Sequence, residues 1–161
     1  QRLDMLKNEL LQQAQAKVES GVEDRASYDK IVAAGTKVIY DKETFSELIK
    51  GIDQSEDPIS EVAEGIVGIL GLLYKQSRKT MPLVPMISAG MALLIDAMDF
   101  MEQAGVADID KETLAKATAI YMNSLLPKLG LTPEKMQGVL DGVKSTMSDP
   151  EKMNQYRGGA A

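Results

Sequence analysis

The stretch that decides the fold is residues 57–77, DPISEVAEGIVGILGLLYKQS. Asp57 favours a helix start, because its carboxylate can accept hydrogen bonds from free backbone N–H groups, and Pro58 at the first helical position sacrifices none. The apolar residues that follow lie around most of the helix circumference: Ile59, Val62, Ile66, Val67, Ile69, Leu70, Leu72 and Leu73. Other helices must cover such a surface, so we predict a central helix here.

Three glycines, Gly65, Gly68 and Gly71, recur at every third position of this predicted helix. Each costs about 1 kcal/mol of helix propensity relative to alanine. Close approach of a neighbouring backbone would offset that cost. We therefore take these glycines as candidate interaction residues.

Helix signals continue along the chain in both directions. A turn with Pro82 and Pro85 leads into a second apolar helix that ends near Ala104, and the two apolar helices would form a hairpin. Further helices are predicted at 25–40, from an Asp41 cap to residue 52, from an Asp110 cap to residue 126, and over 132–147.

The first 20 residues carry a narrow apolar stripe with polar filling, typical of a coiled-coil arm, and its members are Leu3, Leu6, Leu10, Ala14 and Val18. The first three are candidate interaction residues. The predicted fold is thus all-α: a multi-helix bundle of about six helices around a central apolar helical hairpin, with an N-terminal amphipathic arm. We assign 1–22 to the arm, 23–156 to the helical domain and 157–161 to a disordered tail.

The composition excludes several kinds of catalytic site. The chain has no His and no Cys, so neither a Ser-His-acid site nor a Cys-His site can be built. The glycines do not follow the phosphate-binding pattern G-x-x-x-x-G-K-[ST]. We predict no catalytic residue, no cofactor, no metal and no enzymatic activity.

The net charge of −6 lies in one stretch, residues 41–64, which holds eight acidic residues and only two basic ones, Lys42 and Lys50. Binding to a phosphate backbone needs clustered Lys and Arg, and no segment has a basic surplus, so direct nucleic-acid binding is disfavoured. An acidic adaptor or chaperone with a basic client is one alternative function.

Three further groups of side chains allow more than one interpretation. Asp96, Asp99 and Glu102 share a helix face and could hold a cation, although a solvated stripe is favoured. Asp108-x-Asp110-x-Glu112 has the spacing of a calcium loop but lacks its glycine, and is interpreted as a helix cap. Three methionines are candidate interaction residues if they line an adaptable groove, with core filling as the default: Met91, Met98 and Met101.

Uncharged runs in the two apolar helices are short. They span 65–74 and 81–95, whereas a membrane-spanning helix needs about 20 residues. Membrane insertion is therefore disfavoured, and a membrane-active hairpin is kept as a second alternative.

The run from Lys37 to Gly130 carries a resemblance. Val38-Ile39-Tyr40-Asp41 leads to Asp57-Pro58, an apolar helix, a turn at Met81-Pro82 and a helix ending at Glu102-Gln103-Ala104-Gly105. This arrangement resembles small helical virion proteins of tailed bacteriophages. The resemblance implies a structural protein made in the bacterial host cytoplasm and carried in the virion, at the portal vertex, in the tail or among the ejection proteins. We accordingly expect a non-enzymatic subunit whose partners are other protein subunits, in a homo-oligomer or a virion complex.

Overall fold

A computed structural model of the protein describes residues 8–130 and residue 134, and its regular structure there is helical. The helices are α1 (Glu9–Ser20), α2 (Arg25–Ile39), α3 (Lys42–Gln54), α4 (Pro58–Gln76), α5 (Leu83–Gln103) and α6 (Lys111–Lys128). No strand occurs within these residues, which confirms the predicted all-α class. Leu3, Leu6, the predicted tail and, apart from Glu134, the predicted helix over 132–147 lie outside the described residues.

Aspartate caps begin four of the described helices: Asp24 caps α2 and was not predicted, whereas the other three were predicted. Asp41, Asp57 and Asp110 each accept a hydrogen bond from the backbone N–H three residues further on, at 3.4, 3.3 and 2.8 Å. Asp57 also accepts one from Lys116 Nζ at 2.8 Å, which ties the start of α4 to α6. The hydrogen bonds from Lys116 and Ser60 lower the pKa of Asp57 to about 2.

Two helices make most of the contacts in the bundle. α4 packs against α2, α3, α5 and α6, while α5 packs against α1, α2 and α4. Of the eight apolar residues expected to be covered on α4, Leu72 differs, with 45% of its surface exposed. One side of α4 therefore faces outward.

Close helix packing occurs at Gly90, a glycine that the sequence did not single out. Tyr121 of α6 is fully buried and donates a hydrogen bond to the Ile87 carbonyl oxygen of α5 at 2.7 Å. Gly90 makes room for it, because a Cβ built there would overlap Tyr121 Oη and Leu70 Cδ1. Burial raises the pKa of the Tyr121 hydroxyl well above its usual value.

Helix α1 packs on α5, so residues 9–20 are part of the bundle. Its buried side chains are Leu11, Gln15 and Val18, whereas Leu10 is only half-buried. The buried face is thus shifted from the predicted stripe. Gln15 belongs to the polar filling of the predicted stripe, but its side-chain Nε2 donates to the Tyr28 hydroxyl at 3.3 Å inside the core.

Candidate functional site

A groove of about 450 Å³ runs along the outward side of α4, beside α3 and the end of α2. Its apolar lining includes Leu48, Ile69 and Leu72, together with the glycines Gly65 and Gly68. Three exposed glutamates also line it, Glu47, Glu61 and Glu64, and no Lys or Arg does so among the described residues. The groove therefore offers apolar surface with a surplus of negative charge.

The three predicted glycines differ in their surroundings. A Cβ on Gly65 would lie 2.9 Å from Leu48 Cδ1, so a side chain of α3 already covers this position. A Cβ on Gly68 or Gly71 would meet no atom within 4 Å. The expected close approach of a backbone is therefore not made at Gly68 or Gly71 within the described part of the chain.

The outward side of α4 has a simple order of residue types. With a rotation of about 100° per residue, six residues of α4 fall within one arc of about 100° around the helix axis. We call them the outer face of α4: Glu61, Glu64, Gly68, Gly71, Leu72 and Lys75. Acids occupy its N-terminal end, small and apolar residues its middle, and a base its C-terminal end.

The turn after α4 adds two more bases. Arg78 and Lys79 are both exposed, with φ angles of 56° and 61°. This left-handed conformation is uncommon for residues with a Cβ, and it favours glycine. Together with Lys75, they make the C-terminal end of α4 strongly basic.

The three candidate methionines, Met91, Met98 and Met101, are all buried. They lie on α5, which α1, α2 and α4 cover, so they fill the core instead of presenting a groove. Core filling was the default interpretation. Their periodic spacing allows both roles, and the favoured one is the one observed.

The acidic stripe of α5 is not solvated as expected. Asp99 is only 6% exposed, and Gln103 donates a hydrogen bond to it. Glu102 accepts hydrogen bonds from Asn8 Nδ2 at 2.8 and 2.9 Å and from the Ile109 N–H at 2.8 Å. It thereby fixes the start of α1 and the α5–α6 loop to α5. Within residues 8–130, no group of three acidic side chains is placed to hold a metal ion.

A second exposed apolar patch consists of aromatic rings. The Tyr40 and Phe45 rings stack with centroids 5.7 Å apart, and the Phe45 and Phe100 rings meet edge to face at 5.7 Å. Tyr40 is 60% exposed. Phe100 is far from Tyr40 and Phe45 in the sequence, which gave no signal for the patch.

Helix α5 is long and apolar enough to cross a membrane, by length and composition. Of its most apolar window, 61% is buried inside the protein. The buried core helix of a globular protein meets the same criterion, so this property alone does not indicate a bilayer.

The comparisons with known proteins add no relative: no protein-family model matches the chain, and searches of curated proteins and of solved structures found no match.

Proposed function

We propose that the protein is a non-enzymatic assembly subunit that binds other protein subunits through the outer face of α4. One observation carries this proposal. Gly68 and Gly71 weaken α4 by about 1 kcal/mol each relative to alanine, yet no contact in the described chain uses the space they leave open. A helix from another subunit would use it, because small residues let two backbones approach closely.

The groove beside this face supports a helical partner. Leu72 is exposed there although it belongs to a strongly apolar helix, and Leu48 and Ile69 extend the apolar lining. In this proposal, α4 and α5 are the central hairpin that holds the face rigid, and the flanking glutamates select partners with basic side chains. The acidic adaptor is the form of this function in which the partner is a basic client.

We also propose that the subunit belongs to the virion of a tailed bacteriophage, made in the host cytoplasm. The support is the resemblance of residues 37–130 to small helical virion proteins. A portal-vertex, tail or ejection protein acts through contacts with neighbouring subunits, which is what an unpartnered helix face provides.

Light scattering after size-exclusion chromatography tests the assembly proposal. The protein would be measured alone and mixed with the products of the genes beside its own. We expect a mass above the 17.5 kDa of one chain, and Gly68→Leu should restore the monomer by filling the face. A monomer in every mixture, unchanged by that substitution, would contradict the proposal.

A membrane-active protein is the second candidate, because α5 has the length and apolar composition of a spanning helix. To meet lipid, α5 would have to leave α1, α2 and α4 and expose its buried side chains. Flotation with liposomes separates the two functions. The assembly subunit stays at the bottom of the gradient, whereas the membrane-active protein rises with the lipid.

A further inference from the structure

We propose that the occupant of the outer face of α4 is the same face of a second copy, packed antiparallel about a two-fold axis near Gly68. This inference rests on the proposed assembly function and names the partner. It follows from the order of charges along the helix and from their spacing around Gly68.

The charges fix the relative direction of the two helices. Glu61 and Glu64 lie at the N-terminal end of the face, Lys75 lies at its C-terminal end and Arg78 lies in the turn that follows, and all four are exposed. A parallel pair would bring acids to acids and bases to bases. An antiparallel pair brings each acidic end to the basic end of the other copy, which is favourable at both ends.

The spacing fixes the register. Glu61 and Lys75 are each seven residues from Gly68, which is about 10.5 Å along a helix and close to two full turns. A two-fold axis through Gly68 therefore places Glu61 of one copy beside Lys75 of the other. The same axis brings Glu64 to within one turn of that lysine.

The centre of the face permits the close approach that this register requires. Gly68 would meet its own counterpart across the axis, and it has no atom within 4 Å of its Cβ position. Gly71, about one turn further along, is open in the same way, so the two copies of Gly71 place a small residue on each side of the crossing point. Helix axes can then approach to about 8 Å, the short end of the usual range. The exposed Leu72 of each copy would then be covered by the other copy.

A charge-swap experiment tests the pairing. One variant carries Glu61→Lys and Glu64→Lys, and the other carries Lys75→Glu and Arg78→Glu. The wild type should show a concentration-dependent monomer–dimer equilibrium in analytical ultracentrifugation. Each variant alone should have a dissociation constant raised by on the order of tenfold or more. Their equimolar mixture should form heterodimers, because opposite charges then meet at both ends.

A matched control reverses charges at equivalent places on another helix. Glu112 lies in the first turn of α6 and Lys128 in its last turn, and both are exposed. Glu112→Lys with Lys128→Glu disturbs the dipole of α6 as the swaps disturb α4, and it should leave dimerisation unchanged. Recovery of dimers in the mixture also shows that both swap variants are folded.

Cross-linking tests the direction separately. The chain has no cysteine, so each introduced thiol reports one position. With a short bis-maleimide, a mixture of Glu61→Cys and Lys75→Cys proteins should give cross-linked dimers, whereas each protein alone should not. The reverse pattern would show a parallel pair and overturn the inference.

The outcomes separate this inference from the assembly function. If the wild type dimerises and the charge-swap variants have the same dissociation constant, the dimer uses another surface and the inference is wrong. A monomer whose outer face binds the product of a neighbouring gene also overturns it, while supporting the assembly function. A monomer in every mixture overturns both.

Discussion

Replacing Gly68 or Gly90 with alanine makes the same chemical change in two packed helices, and we expect opposite effects on the free energy of unfolding. Gly68 is exposed on α4, and a Cβ there meets no atom within 4 Å. Only the helix propensity changes, so Gly68→Ala should stabilise the monomer by about 1 kcal/mol.

Gly90 is buried in α5, and its Cβ would overlap Tyr121 Oη and Leu70 Cδ1. Forcing these groups apart costs about 1–3 kcal/mol. Displacing the Tyr121 hydroxyl from the Ile87 carbonyl leaves a buried polar group unpaired, at a further cost of about 1–3 kcal/mol. The gain of about 1 kcal/mol in helix propensity offsets part of this. Gly90→Ala should therefore destabilise the protein by about 1–5 kcal/mol.

Urea unfolding followed by far-ultraviolet circular dichroism measures both changes. It should be done at low protein concentration, so that self-association does not contribute. Thermal midpoints should shift by roughly 2–4 °C for each kcal/mol in a chain of this size. Tyr121→Phe serves as the partner in a double-mutant cycle: combined with Gly90→Ala, it should cost less than the two separate losses, because the overlap with the hydroxyl is gone. If Gly90→Ala stabilises the protein as Gly68→Ala does, the close packing of Tyr121 against Gly90 is refuted.

Three further predictions concern single positions. Lys79→Gly should stabilise the protein by up to about 1 kcal/mol in thermal unfolding, because φ is 61° at this residue. The control, Lys75→Gly in regular helix, should destabilise it by about 1 kcal/mol. Equal effects of the two substitutions would argue against the left-handed turn. Glu102→Ala should lower the free energy of unfolding by about 1–3 kcal/mol and speed hydrogen exchange in α1, since it leaves a loop N–H without its acceptor. The pKa of Asp57 is lowered from 3.8 to about 2 in the folded protein, so the ionised carboxylate stabilises the fold above pH 3.8 and this effect is lost as pH falls through about 2. Lys116→Met should make acid unfolding begin at a higher pH. An unchanged acid titration would contradict the pairing of Asp57 with Lys116.

Local signals predicted the helices well. Asp41, Asp57 and Asp110 mark helix starts because a cap is a contact between residues three apart, which the sequence displays directly. The helical spacing of apolar residues likewise identified α4 and α5 as buried helices. Such patterns depend on neighbours along the chain, so they can be read without knowing the packing.

Contacts between distant residues were not predictable in the same way. Asn8 and Glu102 are 94 positions apart, and nothing in the sequence pairs them. Gly68 and Gly90 look alike in sequence, because both interrupt apolar helices. Only the packing shows that Gly90 accommodates Tyr121 while Gly68 faces open space. The groove was missed for this reason, although its glycines had been singled out.

The orientation of Gly68 and Gly71 links stability to assembly. Alanine at both positions would stabilise the isolated helix by about 2 kcal/mol, a large fraction of the roughly 5–15 kcal/mol by which domains are usually stable. If the two-fold contact forms, a methyl group on Gly68 meets its own counterpart across the axis and holds the helices apart. Gly68→Ala should then raise the free energy of unfolding of the monomer and, in the same protein, weaken the dimer. Sedimentation and urea unfolding measure these two changes independently. If Gly68→Ala stabilised the monomer and also strengthened the dimer, the outer face would not need glycine at this position. Close approach of a second helix could then not explain why Gly68 lies exposed.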